Sequence, residues 1–145
     1  MVTSFKVEIL DGVHNFGVGV VRASTAADVF KLALYTSSAT LGAATTAYTT
    51  SDEVSSSGTN YTAGGLTLTI SQVPTSTGTT AWLDFDDLTF PSATLTARGA
   101  LIYNATQSNK AVAVLDFGSD KTSTAGNFTI QFPTANSTSA ILRIA

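Results

Sequence analysis

Residues 98–117 read RGALIYNATQSNKAVAVLDF, and this stretch decides the fold class. Two runs within it, RGALIY at 98–103 and AVAVLDF at 111–117, are apolar at both odd and even positions. Successive side chains of a strand point to opposite faces, so a run apolar on both parities is expected where both faces are covered. Between them, NATQSN at 104–109 is short and polar, the chemistry of a hairpin loop. The expectation is two neighbouring central strands of an antiparallel sheet.

The flanking sequence extends this reading. Residues 29–36, VFKLALYT, alternate: Phe30, Leu32 and Leu34 share one parity, and Lys31, Ala33 and Tyr35 the other, which predicts a half-buried strand. Residues 66–73, LTLTISQV, alternate more strictly, with Leu66, Leu68 and Ile70 inward and Thr67, Thr69 and Ser71 outward. Gly64-Gly65 introduces this strand, Pro74 is expected to end it, and a turn is expected at 76–78. Further strands are expected at 81–86, at 127–132 after a Gly126-Asn127 turn, and at 140–145. Seven or eight short strands separated by turn residues describe an all-β protein, an antiparallel β-sandwich of jelly-roll-like type. At the start, Phe5, Val7 and Ile9 alternate like a strand, while Phe5, Ile9 and Val13 share a helix face behind Ser4 as N-cap. A short N-terminal helix is the expectation.

The length suits a single domain over 1–145, with 1–28 an N-terminal segment and 36–65 a long loop region. The loop is small, polar and rich in Gly and Ala, and long for a connection inside one domain. Thr and Ser make up about 28% of the chain, a composition associated with extracellular or virion β proteins. Net charge is −3, and seven scattered Lys and Arg do not make a basic footprint. Neutralising phosphates requires one, so no nucleic-acid partner is expected. No apolar run approaches the ~20 residues that span a bilayer, and no basic region precedes a continuous apolar stretch near the N-terminus, so neither a membrane partner nor a signal peptide is expected. With no cysteine, disulfides and thiolate metal sites are excluded.

Residues 82–90, WLDFDDLTF, hold the densest carboxylates. In a strand, Asp84 and Asp86 fall on one face roughly 6.6 Å apart. That spacing suits two ligands of one calcium ion or a carboxylate pair flanking a glycosidic bond. The competing reading, which we prefer, is the solvated face of a strand whose Leu83 and Phe85 point inward, with Asp87 beginning a turn where the apolar parity flips to Leu88 and Phe90. No catalytic or cofactor-binding residues, no cofactor and no enzymatic activity are expected; Asp84 and Asp86 stand only as calcium candidates. His14, the single histidine, cannot build a two-His metal site and reads as structural or surface. Arg98 is placed to pair with Asp84 or Asp116. Gly17 and Gly19 lack the third glycine of a dinucleotide fingerprint. Trp82, Tyr35, Tyr48, Tyr61 and Tyr103 are the rings from which a sugar platform would have to be built, though core and rim packing is the expected use.

FKVEILDGVHNF at 5–16, FKLALYTSSATL at 30–41, TTAYTTSDEVSSSGTNYTAGGLTLT at 45–69, TARGALIYNATQSNKAVAVLDFGSDKT at 96–122 and FTIQFPTANSTSAILRIA at 128–145 resemble a family of small virion proteins of tailed bacteriophages. TARGALIYN and KAVAVLDFG are the most specific pieces, and 17–28 reads as longer than the usual link. The resemblance implies a structural part of the particle, and among such parts a capsid decoration or cement protein. Its implied partners are the major capsid protein and neighbouring copies of itself, as a homo-oligomer on the capsid. Its implied place is the capsid surface of the virion, after synthesis in the bacterial host cytoplasm. The alternative is a tail or fibre component that binds host-surface glycans.

Overall fold

The computed structural model describes Phe5, Val13, His14, Phe16 and residues 27–144. Seven strands lie among them: β1 Phe30–Tyr35, β2 Leu66–Thr67, β3 Ile70–Thr77, β4 Thr80–Phe85, β5 Leu88–Asn104, β6 Lys110–Ile130 and β7 Leu142–Ile144. They form two antiparallel sheets, in the orders β2-β1-β5-β6 and β3-β4-β7. The expected all-β sandwich is therefore the fold. Phe30, Leu32 and Leu34 of one sheet share a buried cluster with Leu83, Phe85 and Leu142 of the other. The Phe30 and Phe85 rings meet across the gap at 6.0 Å.

The 98–117 hairpin pairs as its sequence suggests, from Asn104↔Lys110 through Gly99↔Asp116, but it does not stop there. The ladder continues to Leu88↔Ile130, so the separate strand expected at 127–132 is the end of β6. No turn forms at Gly126-Asn127, because the chain absorbs its extra residues in bulges instead. Between Gly99↔Asp116 and Ala97↔Lys121, β5 advances two residues and β6 five, with Gly118 at φ 76° in the excess. Ala125 at φ 49° lies in a second slip. The bending is large: Phe117 and Phe128 lie eleven positions apart on β6, a separation of roughly 36 Å if extended, yet their ring centroids are 6.4 Å apart.

Three other expectations change. The alternating run 66–73 is divided between the sheets: β2 pairs with β1, and β3 pairs with β4. Its inward and outward parities hold, with Leu68 buried and Thr67, Thr69 and Ser71 exposed. Pro74 does not end the strand. It lies in the edge strand β3, where the register slips between Gln72 and Thr75 and no ladder N–H is required of it. The turn is at 78–79, with Gly78 at φ 60°. The stretch 111–117 belongs to an edge strand, not a central one. Ala111, Val112 and Ala113 are buried all the same, and the long loop closes over the start of β6 through Tyr48 N to Asn109 O and Ala111 N to Thr46 O, both 2.9 Å. The N-terminal helix behind Ser4 falls on residues outside those described, apart from Phe5, which is helical; most of the 17–28 link lies outside them too.

β1 is the largest departure. Its second parity was expected to be half wet, but Ala33 and Tyr35 are as buried as Leu32 and Leu34. Residues 36–65 lie over that face as a third layer. Tyr48 stacks on Tyr103 with centroids 4.8 Å apart, and Gly65 passes so close that a Cβ there would sit 1.7 Å from the Leu32 carbonyl oxygen. With φ at 69°, only glycine fits.

Candidate functional site

The three carboxylates of WLDFDDLTF do not share a face. β4 ends at Phe85, so Asp86 and Asp87 lie in the link to β5 and are exposed. Asp86 donates its amide to Thr69 O at 2.9 Å, and Asp87 Oδ1 accepts from the Phe132 amide at 2.8 Å. Asp84 is fully buried, which corrects the solvated-face reading. The middle strand β4 has β3 on one side and β7 on the other. The chain entering β7 also brings the Ile141 amide to the Asp84 carboxyl. Asp84 Oδ1 accepts from the Phe85 amide at 2.9 Å, while Oδ2 has no hydrogen-bond partner among the described residues. Burial raises its pKa above the ordinary carboxylate value; the Phe85 and Ile141 amides oppose this, and the Asp87 charge adds to it. One carboxylate inside and one outside cannot grip a single ion together. Among the described residues, no group of three or more His, Asp or Glu side chains is placed to hold a metal.

The side chains that do converge are the four tyrosines, and two of them, Tyr48 and Tyr61, meet on Glu53, one of only two glutamates in the chain. Glu53 Oε1 accepts from Tyr61 OH at 2.6 Å and from the Gly64 amide at 2.7 Å. Oε2 accepts from Tyr48 OH at 2.7 Å. Tyr103 donates to Gly64 O at 2.7 Å, and Tyr35 to Thr49 O at 2.6 Å. Tyr61 OH also accepts the Leu34 amide at 3.0 Å. Every hydroxyl thus ties the 36–65 loop to the sheet or to itself. Burial pushes the Tyr35 phenol up to about 12, against the partial relief of its bond to the Thr49 carbonyl. Tyr48, Tyr61 and Tyr103 are raised by burial and by the neighbouring Glu53 carboxylate. These are structural phenols, as core and rim packing anticipated. Glu53 was missed because only its position between Tyr48 and Tyr61 marks it, and that spacing has no set meaning on an irregular loop.

The remaining candidates are scattered. Arg98 Nε pairs with Asp116 Oδ1 at 3.2 Å on the exposed part of the β5–β6 ladder, not with Asp84. The Gly118 amide, first, and then Arg98 lower the Asp116 pKa. Trp82 lines an apolar cavity of about 160 Å³ with Leu83, Leu142, Phe5, His14 and Phe16. Its Nε1 is buried and without a hydrogen-bond partner among the described residues. His14 stands among Phe5, Phe16 and Phe30 and is hydrogen-bonded to Asn104. No protein-family model matches the chain, and neither the curated proteins nor the solved structures contain a match.

Proposed function

We propose that this chain is a structural protein of a tailed-phage particle, a decoration or cement protein. It binds the outer capsid through the major capsid protein and neighbouring copies of itself, and stabilises capsomer junctions. The observation that carries this reading is the resemblance of 5–16, 30–41, 45–69, 96–122 and 128–145 to small virion proteins of that class. The physical chemistry is compatible with it. The surface is dominated by hydroxyls with few charges, which favours many weak polar contacts, and repetition around a shell adds them through avidity. The 36–65 layer offers such a surface already ordered, so little conformational entropy is lost when it is covered. A tail or fibre protein that grips glycans would instead need exposed rings. Here Tyr35, Tyr61 and Tyr103 are buried and hydrogen-bonded.

The test is the copy number in purified particles, by quantitative mass spectrometry against the major capsid protein. A ratio near one, or a simple fraction of it, is expected. A handful of copies per particle would move the chain to the tail or fibre, and complete absence would remove the virion reading.

A further inference from the structure

β4 is held unequally by its two neighbours. It pairs with β3 at five positions between Thr80 and Phe85, and with β7 at three, from Ala81↔Ile144 to Leu83↔Leu142. The next residue of β4 is Asp84, and there its carboxyl takes over from the ladder, receiving the amide of Ile141, one position before β7. Leu83 and Phe85 point into the core, so Asp84 points to the other face of the sheet, with Gln72 of β3 opposite it. Asp84 is nonetheless fully buried, and so is Ala140, just before Ile141. Oδ1 accepts from the Phe85 amide at 2.9 Å, while Oδ2 is sealed from solvent and meets no donor among the described residues. No cation compensates it. β3 contains no charged residue, and neither do residues 131–142, which lead into β7. Arg143, the one charge of β7, lies opposite Trp82, and its guanidinium is bound to the Thr138 carbonyl. In the link to β5, Asp86 is exposed, and the Asp87 charge that reaches Asp84 has the same sign.

We propose that Asp84 is a proton-controlled catch for β7: uncharged, it keeps the chain entering β7 against β4, and loss of its proton frees residues 140–144. A carboxylate sealed from water, with one oxygen unpartnered and a second negative charge nearby, is far less favourable than the same group carrying a proton. Burial outweighs the relief that the Phe85 and Ile141 amides provide, so the pKa stands above the ordinary carboxylate value. Once ionised, the group gains most by reaching water, and the neighbour with the weaker hold gives way. That neighbour is β7, with three ladder positions and the buried Leu142 side chain against five positions for β3. In the open state Asp84 is an ordinary carboxyl that ionises near pH 4, while in the docked state it keeps its proton to higher pH. Docking is therefore strongest below about pH 4 and weakens as pH rises through the docked-state pKa. Opening uncovers Leu142 and one edge of β4.

The experiment follows the aspartate carboxyl carbons by NMR and the amide hydrogen exchange of 141–144 in the full chain from pH 4 to pH 8. Asp86 and Asp87, both exposed, serve as references for the carboxyl, and the amides of β1 as references for exchange. Asp84 is expected to titrate at higher pH than either exposed aspartate. Corrected for its intrinsic pH dependence and taken relative to β1, exchange at 141–144 is expected to quicken by up to about tenfold per pH unit until Asp84 has lost its proton, since one proton separates the two states. Asp84→Asn, which cannot ionise, is expected to keep that relative exchange level across the range. An Asp84 carboxyl that titrates together with Asp86 and Asp87, relative exchange that stays level while Asp84 titrates, or an acceleration that persists in Asp84→Asn would each overturn the catch. If the variant does not fold, the two wild-type measurements decide the matter.

Discussion

Residues 36–65 and residues 118–126 invert the usual relation between regular structure and order. The first stretch has no strand, only isolated bridges at Ala47 and Glu53, yet it covers one face of β1 and β5 and contains the buried Val54, Tyr61, Gly64 and Gly65. The second is strand throughout, yet most of its residues are exposed. Ladder hydrogen bonds alone leave the ribbon in contact with water. Side-chain bonds to one carboxylate, a tyrosine stack and a glycine pressed against β1 make the loop part of the core. The contrast teaches that in this chain side-chain anchoring, not strand content, decides which surface is rigid.

The sharpest way to break the comparison is glycine replacement, since both regions hold glycines at positive φ. Gly65→Ala forces a Cβ into the Leu32 carbonyl, and a Cβ cannot move aside there. A loss of more than about 4 kcal/mol is expected, enough to abolish the folded state in a thermal melt monitored by circular dichroism. Gly118→Ala meets nothing within 4 Å and carries only the strain of φ at 76°. About 1 kcal/mol is expected.

Next in size is Glu53→Ala, which leaves a buried Tyr61 hydroxyl and the Gly64 amide without their acceptor. A loss of about 3 kcal/mol in urea unfolding is expected. Hydrogen exchange should quicken across 36–65 and stay unchanged across 118–126.

Alkali tests the same anchor without mutation. Tyr35 has its pKa raised to about 12, and the other three tyrosines are raised as well. The unfolded chain gives up its phenolic protons near pH 10, before the folded chain does. The native state therefore binds more protons above that pH, and stability falls as pH rises. Stability is expected to be intact below pH 10 and to be lost progressively towards pH 12, with phenolate absorbance appearing only together with unfolding. Free titration of the tyrosines in the folded chain would break the comparison.

The smallest effect belongs to the ribbon. Thr122→Val removes the exposed hydroxyl pair with Thr96, 3.0 Å apart, and keeps a β-branched residue. Less than about 0.5 kcal/mol is expected.

Apolar patterning in the sequence located the strands because it reports which positions avoid water. It located β1, β4, β7 and the hairpin centred on 104–109. It could not say what lies across a face, and the errors share that cause. The tripeptide Leu-Asp-Phe occurs at 83–85 and at 115–117. Asp84, on the middle strand β4 with the approach to β7 against it, is sealed inside. Asp116, beside the bulge of the edge strand β6, is exposed. No local pattern separates the two. Ala33 and Tyr35 were read as half wet for the same reason, since the layer that covers them is an irregular stretch recognisable only by where its tyrosines end. The candidate site fared as it did because Glu53 and Asn104 act through partners distant in sequence, such as Leu34 through Tyr61 and Asp28 through Asn104.

Whether side-chain anchoring makes 36–65 the rigid, capsid-facing surface is decided by hydrogen exchange on the free chain and on the same chain bound to purified capsids. Residues 36–65 are expected to exchange more slowly than 118–126 before binding, and the protection added on the capsid is expected to be concentrated in 36–65. Fast exchange of 36–65 in the free chain, or no added protection there on capsids that hold the protein, would contradict it.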